Sequence, residues 1–318
     1  MSPKMDGNVS LGFICEKTYH HDELTVPRTV LTALVALLII GGNSLCLVCL
    51  RKTDAFSGTT KVFMTSLTLA DLSMGVVICT PSAISAAASR WLLGHATCLI
   101  TAHLNFSLVT ISVLSLLMVS VDRYIAVTRP LRYTTWVTTC RATTLVVAVW
   151  LSTLIISLII LIQCGLQVCY DAMLNICIPI KERAINLHTL ASFIVVTLVS
   201  YLSCLAIYVR LYLIARDHAN RIQCVSDNVN PADRQVRHPR SKATATFAMV
   251  AVAFGLAYVP MIAIAVHFLV VGIGCSLAIC GLASVFTLSN SWWNVVIYSI
   301  RMASFRQTLK GLFRRHSP

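Results

Sequence analysis

The sequence predicts an all-α membrane protein, a seven-transmembrane helix bundle followed by a short amphipathic eighth helix. Three observations predict it. The chain has 318 residues, 57% hydrophobic and only 12% charged, where a soluble domain carries about 25% charged residues; mean hydropathy is +0.79. The acids, only 12 in number, leave seven long stretches nearly free of charge, each matching the ~20 apolar residues that span a bilayer as a helix. Lys and Arg gather at alternate ends of those stretches. A disordered chain, a collagen-like fibre and a small disulfide scaffold are excluded by the same composition. The apolar–polar alternation that a membrane barrel needs is missing.

The stretches lie at 26–50, 60–86, 95–127, 141–163, 186–214, 243–270 and 276–300. Lipid offers the backbone no hydrogen-bond partner, so each is expected as a helix. The chain divides into an extracellular N-terminus (1–25), the bundle (26–300) and a cytoplasmic amphipathic helix and tail (301–318). Asp217 to Arg240 is polar, holds Pro231 and Pro239, and reads as a flexible loop.

Orientation follows from charge. With the N-terminus outside, nineteen of the 25 Lys and Arg fall on the cytosolic side, clustered between the spans, as the positive-inside rule requires. The net charge of +13 therefore reads as a topology signal and not as nucleic-acid binding. The polar first 25 residues lack the apolar core of a cleavable signal peptide, so helix one is expected to act as the signal anchor. Asn8-Val9-Ser10 is a glycosylation sequon on the expected outer side. A plasma-membrane, multi-pass location is expected.

Of 13 cysteines, seven lie at or near the outer face. Cys98 at the top of helix three is expected to pair with Cys177, with Cys169 as the competitor. Cys275 and Cys280 could close the third outer loop, Cys15 could reach Cys169, and Cys164 is left unpaired. Cys46 and Cys49 share a redox-like spacing but sit in an apolar helix with no base nearby, which favours packing.

Ionisable residues inside a span are costly and mark function by default. Three qualify: Asp71, Asp122 and Arg123. Arg123 at the cytosolic end of helix three can be held by Asp122 or released, a two-state element; an ordinary charged helix end is the plainer alternative. His267 could sense pH or simply pack. His20-His21-Asp22-Glu23 could hold a metal or be a solvated run, and a solvated run is expected.

Several motifs then occur in order. Gly42-Asn43 stands in helix one, Leu69-Ala70-Asp71-Leu72 in helix two before Pro81, and Trp91-Leu92-Leu93-Gly94 before Cys98. Asp122-Arg123-Tyr124 is followed by Pro130-Leu131, Trp150 by Tyr208, and Phe254 by Pro260. Helix seven carries Asn290-Ser291 and Asn294-Val295-Val296-Ile297-Tyr298, and Phe305-Arg306 opens a helix with Leu309, Leu312 and Phe313 on one face. In this order the motifs make the chain resemble the rhodopsin-like (class A) G-protein-coupled receptors over nearly its whole length.

The resemblance implies roles. Asp122, Arg123, Tyr124, Tyr208, Arg240, Phe254, Asn294 and Tyr298 match positions for G-protein coupling and activation, with a heterotrimeric G protein as partner. Asp71, Ser112, Asn290, Ser291 and Asn294 match an allosteric sodium pocket; a hydrated polar network without an ion is the alternative. The ligand pocket falls on Asn105, Phe106, Val109, Ser192, Phe193, Tyr258, Met261, Ile262, Ser284 and Leu288. No other cofactor is implied. The basic inner loops and the tail helix suit anionic membrane lipids.

Departures from the pattern matter. The helix-five proline is Ser200, the toggle tryptophan is Tyr258, and the proline after Asn294 is Val295. Arg240 replaces the acid that locks the helix-three arginine, which points to raised basal activity. Asn105 stands where amine receptors carry their anchoring aspartate, so a protonated amine would lack a counter-ion. The lining instead suits a neutral or lipid-like small molecule, or no ligand at all. An amine-type receptor with a non-standard anchor and a non-coupling seven-helix decoy are the alternatives; a transporter would carry internal repeats, which are missing. Phosphate-binding loops, H-E-x-x-H, dinucleotide turns and serine elbows are not found, so enzyme activity is not expected.

Overall fold

The computed structural model describes residues 25–53, 56–172, 174–181, 184–185, 187–226, 239–271, 277–301 and 303–314. Helix one runs Thr25–Lys52, helix two Gly58–Ala87, helix three Gly94–Thr128, helix four Thr139–Gln163, helix five Leu187–Ser226, helix six Pro239–Val271 and helix seven Leu277–Arg301. Six of these are long and apolar enough to cross a membrane. Helix seven has the length but buries Ser289, Asn290, Ser291 and Asn294. A tail helix, Ala303–Arg314, follows; Phe305 is buried beside Tyr298, ring centroids 6.3 Å apart.

Helix three is the axis and packs against helices two, four and five. Helix four is the least enclosed, with Leu151, Ile155, Ile156, Ile159 and Ile162 all exposed. An apolar face of that extent is untenable in water and ordinary in lipid. Hydroxyls inside the helices bond back to their own backbone: Thr32 to the Arg28 carbonyl, Thr68 to Met64, Thr110 to Phe106 and Ser120 to Leu116, all at 2.8–2.9 Å. This satisfies a polar side chain where water is excluded.

Three local structures went beyond the sequence expectations. Helix two opens into a π-turn at Met74–Cys79 before Pro81, because the proline ring clashes with a regular α-ladder. Thr80 Oγ1 donates to the Gly75 carbonyl there at 2.9 Å. Gly75 lets helix one approach, since a Cβ would stand 2.8 Å from Ile39 Cγ2. A short helix, Pro130–Trp136, follows helix three. Between helices four and five lies a sheet of β1 (Val168–Asp171), β2 (Ile176–Lys181) and β3 (Ala184–Ile185), β1 and β2 antiparallel with Tyr170 opposite Cys177. The β1–β2 hairpin marks one end of the bundle and the tail helix the other.

Part of the stretch from Asp217 to Arg240, expected as a flexible loop, is helical. Helix five continues to Ser226 and helix six begins at Pro239, because polar side chains do not end a helix that still has room to extend. Residues 227–238 lie outside the described set, as do Asn8, Cys15, Cys275 and the His20–Glu23 run.

Cys98 and Cys177 form a disulfide, Cα atoms 5.4 Å apart. Cys169 and Cys280 are also disulfide-bonded. Cys164 keeps its thiol and is buried.

Candidate functional site

At the tail end of the bundle Asp122 is 1% exposed and forms a hub. Its Oδ2 accepts from Arg123 Nη2 at 2.5 Å, Arg123 Nε at 3.0 Å and Thr60 Oγ1 at 2.8 Å. Its Oδ1 accepts from Tyr133 Oη at 2.7 Å. Arg123 Nη2 also donates to Thr60 Oγ1, and the arginine side chain is 16% exposed. The carboxylate therefore ties helix two, helix three and the short helix together and holds the arginine against itself. Tyr133 and Thr60 gave no sequence signal, since their role depends on how the loop helix folds back.

Around the hub, Tyr208 Oη accepts from Ser120 Oγ at 3.1 Å, tying helix five to helix three. Tyr298 is buried, Tyr124 packs against the core, and Phe254 stacks on Tyr258 with centroids 4.4 Å apart. Arg240 sits in the first turn of helix six; its side chain lies outside the described residues.

Midway along the bundle Asp71 is 1% exposed. Ser112 Oγ donates to its Oδ1 at 3.0 Å and Asn294 Nδ2 to its Oδ2 at 2.9 Å. Asn290 and Ser291 are buried on the same helix as Asn294. The Ser291 carbonyl accepts from Asn43 Nδ2 at 2.9 Å, which brings the two helix-one and helix-seven motifs together. Among the described residues no Lys, Arg or His side chain pairs with Asp71. A buried carboxylate beside neutral polar side chains and, among the described residues, without a cationic partner could hold a small hard cation if the Asn294 amide turned its oxygen inward.

Towards the hairpin end lies a cavity of about 210 Å³. Asn105, Phe106, Val109, Met261, Ser284 and Leu288 line it as the sequence indicated. Tyr258 and Ile262 do not; they line a separate groove between helices five and six, while Tyr258 is also buried in the core. Ser192 is exposed, and the side chain of Phe193 lies outside the described residues.

The cavity also has walls the sequence did not reveal. Helix four contributes Ser157, Ile160 and Leu161, and the hairpin contributes Leu174, Ile176 and Ile178. His103 Nδ1 lies 2.8 Å from Ser157 Oγ, itself 2.6 Å from Ser107 Oγ, a polar chain joining helices three and four. Among the described residues no Asp or Glu lines the cavity.

The hairpin tip reaches across this opening. Ala172 O accepts from Arg28 Nη1 of helix one at 2.9 Å, and Leu174 O accepts from Ser284 Oγ of helix seven at 2.8 Å. Asp171 Oδ1 accepts from Leu174 N at 3.0 Å and closes the turn, with Asn175 at φ 56°, a conformation asparagine tolerates. Tyr170 Oη donates to Asn175 Oδ1 at 3.2 Å, and burial pushes its phenol well above the usual range. Arg28, in the first turn of helix one, is buried, 8% exposed, and makes this contact.

Comparison with known proteins agrees with this architecture. The model of the 7 transmembrane receptor (rhodopsin family) matches residues 42–298. The histamine H2 receptor of Canis lupus familiaris is 29% identical over 290 residues, 90% of this chain and 78% of that receptor. Trace amine-associated receptor 365 of Petromyzon marinus is 26% identical over 305 residues, 92% of this chain and 83% of its own. Octopamine receptor 1 of Lymnaea stagnalis is 37% identical over 131 residues, 41% of this chain but only 20% of that receptor. The chain is a multi-pass membrane protein and belongs to the rhodopsin family of seven-transmembrane receptors.

Proposed function

We propose that this receptor passes a signal from a neutral or lipid-like small molecule, or its own basal activity, to heterotrimeric G proteins. The observation that carries this is the closed Asp122–Arg123 hub at one end of the bundle together with an acid-free cavity at the other. The positive-inside distribution of Lys and Arg supports a cytosolic hub and an outer hairpin at the plasma membrane, a topology in which residues 1–25 are extracellular, the Asn8 sequon is open to glycosylation and 301–318 are cytoplasmic. The tail helix lies on the anionic inner leaflet. Opening releases Arg123 towards the G protein while Tyr208, Phe254, Asn294 and Tyr298 rearrange. Arg240, in place of an acid, weakens the closed state and raises basal output.

Asp71 is assigned to sodium; the Ser112 hydroxyl stands beside its carboxylate, Asn290 and Ser291 are buried on the neighbouring stretch of helix seven, and Asn294, whose amide nitrogen bonds the carboxylate in this arrangement, would turn its oxygen to the ion. Bound there, sodium would supply the positive charge that no described Lys, Arg or His side chain gives Asp71, and Asp71 would hold it in the closed bundle.

The test is a panel of basal second-messenger readouts on wild type, Arg123→Ala and Arg240→Glu at matched surface density. Arg123→Ala abolishes output and Arg240→Glu lowers it. Unchanged output in both would refute the assignment.

A second reading, an amine receptor with a non-standard anchor, is favoured by relatives named for histamine, octopamine and trace amines. Histamine is the probe. Under the first reading wild type ignores it and Asn105→Asp gains a response; a wild-type response would favour the second.

A further inference from the structure

The cavity beneath the hairpin reaches from Ser157 and Leu161 of helix four, past helix three, to Ser284 and Thr287 of helix seven. At about 210 Å³ it falls below the ~300–1,000 Å³ of sites for drug-sized molecules, so its occupant is small. Among the described residues no Asp, Glu, Lys or Arg lines it. A cation or an anion enclosed there would lack a partner of fixed opposite charge, which is costly. The occupant is therefore uncharged.

The polar groups of the lining then select its two ends. Most of them are already engaged. Ser284 Oγ donates to the Leu174 carbonyl at 2.8 Å and Thr287 Oγ1 to the Ala283 carbonyl at 2.9 Å. Ser157 Oγ stands between Ser107 Oγ and His103 Nδ1. Among the described residues no hydrogen bond reaches His103 Nε2 or the Asn105 carboxamide, and both side chains are half-buried in the wall of the cavity. Asn105 projects about 200° round helix three from His103, at 3.6 residues per turn. On a helix ~10–12 Å wide with its side chains, the two free polar groups stand on the order of 10 Å apart. The wall between them, Ala102, Phe106 and Val109, is apolar.

Each group has its own complement. The Ser157 contact fixes the imidazole but not its proton. Ser157 can donate to Nδ1, or accept from it and donate instead to the Leu154 carbonyl at 3.1 Å. Nε2 is thus free to donate or to accept, and a hydroxyl, which does both, suits either tautomer. The Asn105 carboxamide presents an N–H and a C=O in one plane, which an amide matches with its own C=O and N–H.

On the reading of this chain as a small-molecule receptor, we propose that the cavity holds an uncharged molecule with a hydroxyl at one end, an amide at the other and an apolar body between. His103 Nε2 bonds the hydroxyl and Asn105 the amide. Ser157 and Ser107 are positioning residues that hold the imidazole in place.

The test titrates full-length receptor in phosphatidylcholine nanodiscs with tritiated N-acetyltyramine, which carries a phenol, an amide and no charge. Saturable binding is expected, with cationic tyramine and anionic phloretate competing at least ten-fold less well than unlabelled N-acetyltyramine. N-acetylphenethylamine, which lacks the hydroxyl, competes about five-fold less well on wild type. On His103→Leu the two amides bind alike, because the same bond is lost only once. His103→Gln, which keeps a hydrogen-bonding group, stays within about two-fold of wild type, and Asn105→Leu weakens both amides about five-fold. Melting temperatures check that each variant is folded. The proposal is overturned if N-acetyltyramine shows no saturable binding, if tyramine or phloretate is preferred, or if the hydroxyl still matters in His103→Leu. Arg123-dependent basal output is read separately and needs no ligand, so its loss counts against the receptor reading and not against this anchor.

Discussion

Ser284 Oγ donates to the Leu174 carbonyl at 2.8 Å, so the hairpin tip is tied to helix seven across the mouth of the cavity. Arg28 ties the same tip to helix one at the Ala172 carbonyl. The tip is also fixed to helix three through the Cys98–Cys177 disulfide. Three helices thus share one strap. A neutral hydrogen bond of this kind contributes about 1 kcal/mol net. Ser284→Ala is expected to raise basal second-messenger output two- to five-fold at equal surface density. Unchanged output would mean that the strap does not restrain helix seven.

The Asp122 hub predicts a second gain of basal signalling. Tyr133 Oη bonds a buried carboxylate, and hydrogen bonds to charged groups contribute about 1.5–3 kcal/mol. Tyr133→Phe removes this bond without changing the ring. Nucleotide exchange on added G protein, measured in membranes without ligand, should rise by tenfold or more. Combining it with Arg123→Ala should return exchange to background.

Sodium binding at Asp71 is expected to appear as thermal stability. An ion bound only to the folded bundle stabilises it by about 1.4 kcal/mol at ten times its dissociation constant, or about 2–4 °C for a chain of this size. Replacing choline chloride by sodium chloride at constant ionic strength should raise the melting temperature of wild type by that amount. Asp71→Asn should show no such rise. A wild-type melting temperature insensitive to the exchange would remove sodium from the account.

The disulfide closes a sequence separation of 79 residues, which corresponds to about 4–5 kcal/mol of chain entropy removed from the unfolded state. Cys98→Ala should lower the melting temperature by on the order of 10 °C and cut surface staining by more than half. Cys46→Ala, in an apolar helix and not disulfide-bonded, should not lower surface staining comparably.

The helices were legible because lipid imposes one solution on the backbone, and long apolar stretches with few charges announce it. Asp71, Asp122 and Arg123 were legible for the related reason that charge in a span is costly. The hairpin was not, because Val168–Asp171 and Ile176–Lys181 are too short to show a period and sit among loop residues. His103 and Ser157 escaped notice because their meeting depends on how helices three and four are rotated, which a sequence does not state. Tyr258 and Ile262 were assigned to the central cavity for the same reason: one-dimensional spacing places a residue at a depth, not on a side.

Trp150 Nε1 donates to Ser66 Oγ at 2.9 Å, and Ser66 Oγ meets Ser115 Oγ at 2.9 Å. Helices two, three and four are thereby riveted at one level, and Gly75 presses helix one onto the same block. The first half of the chain is a stator, leaving the later helices as the rotor. Force arriving at the hairpin end therefore meets a braced first half, and displacement is expected in the later helices.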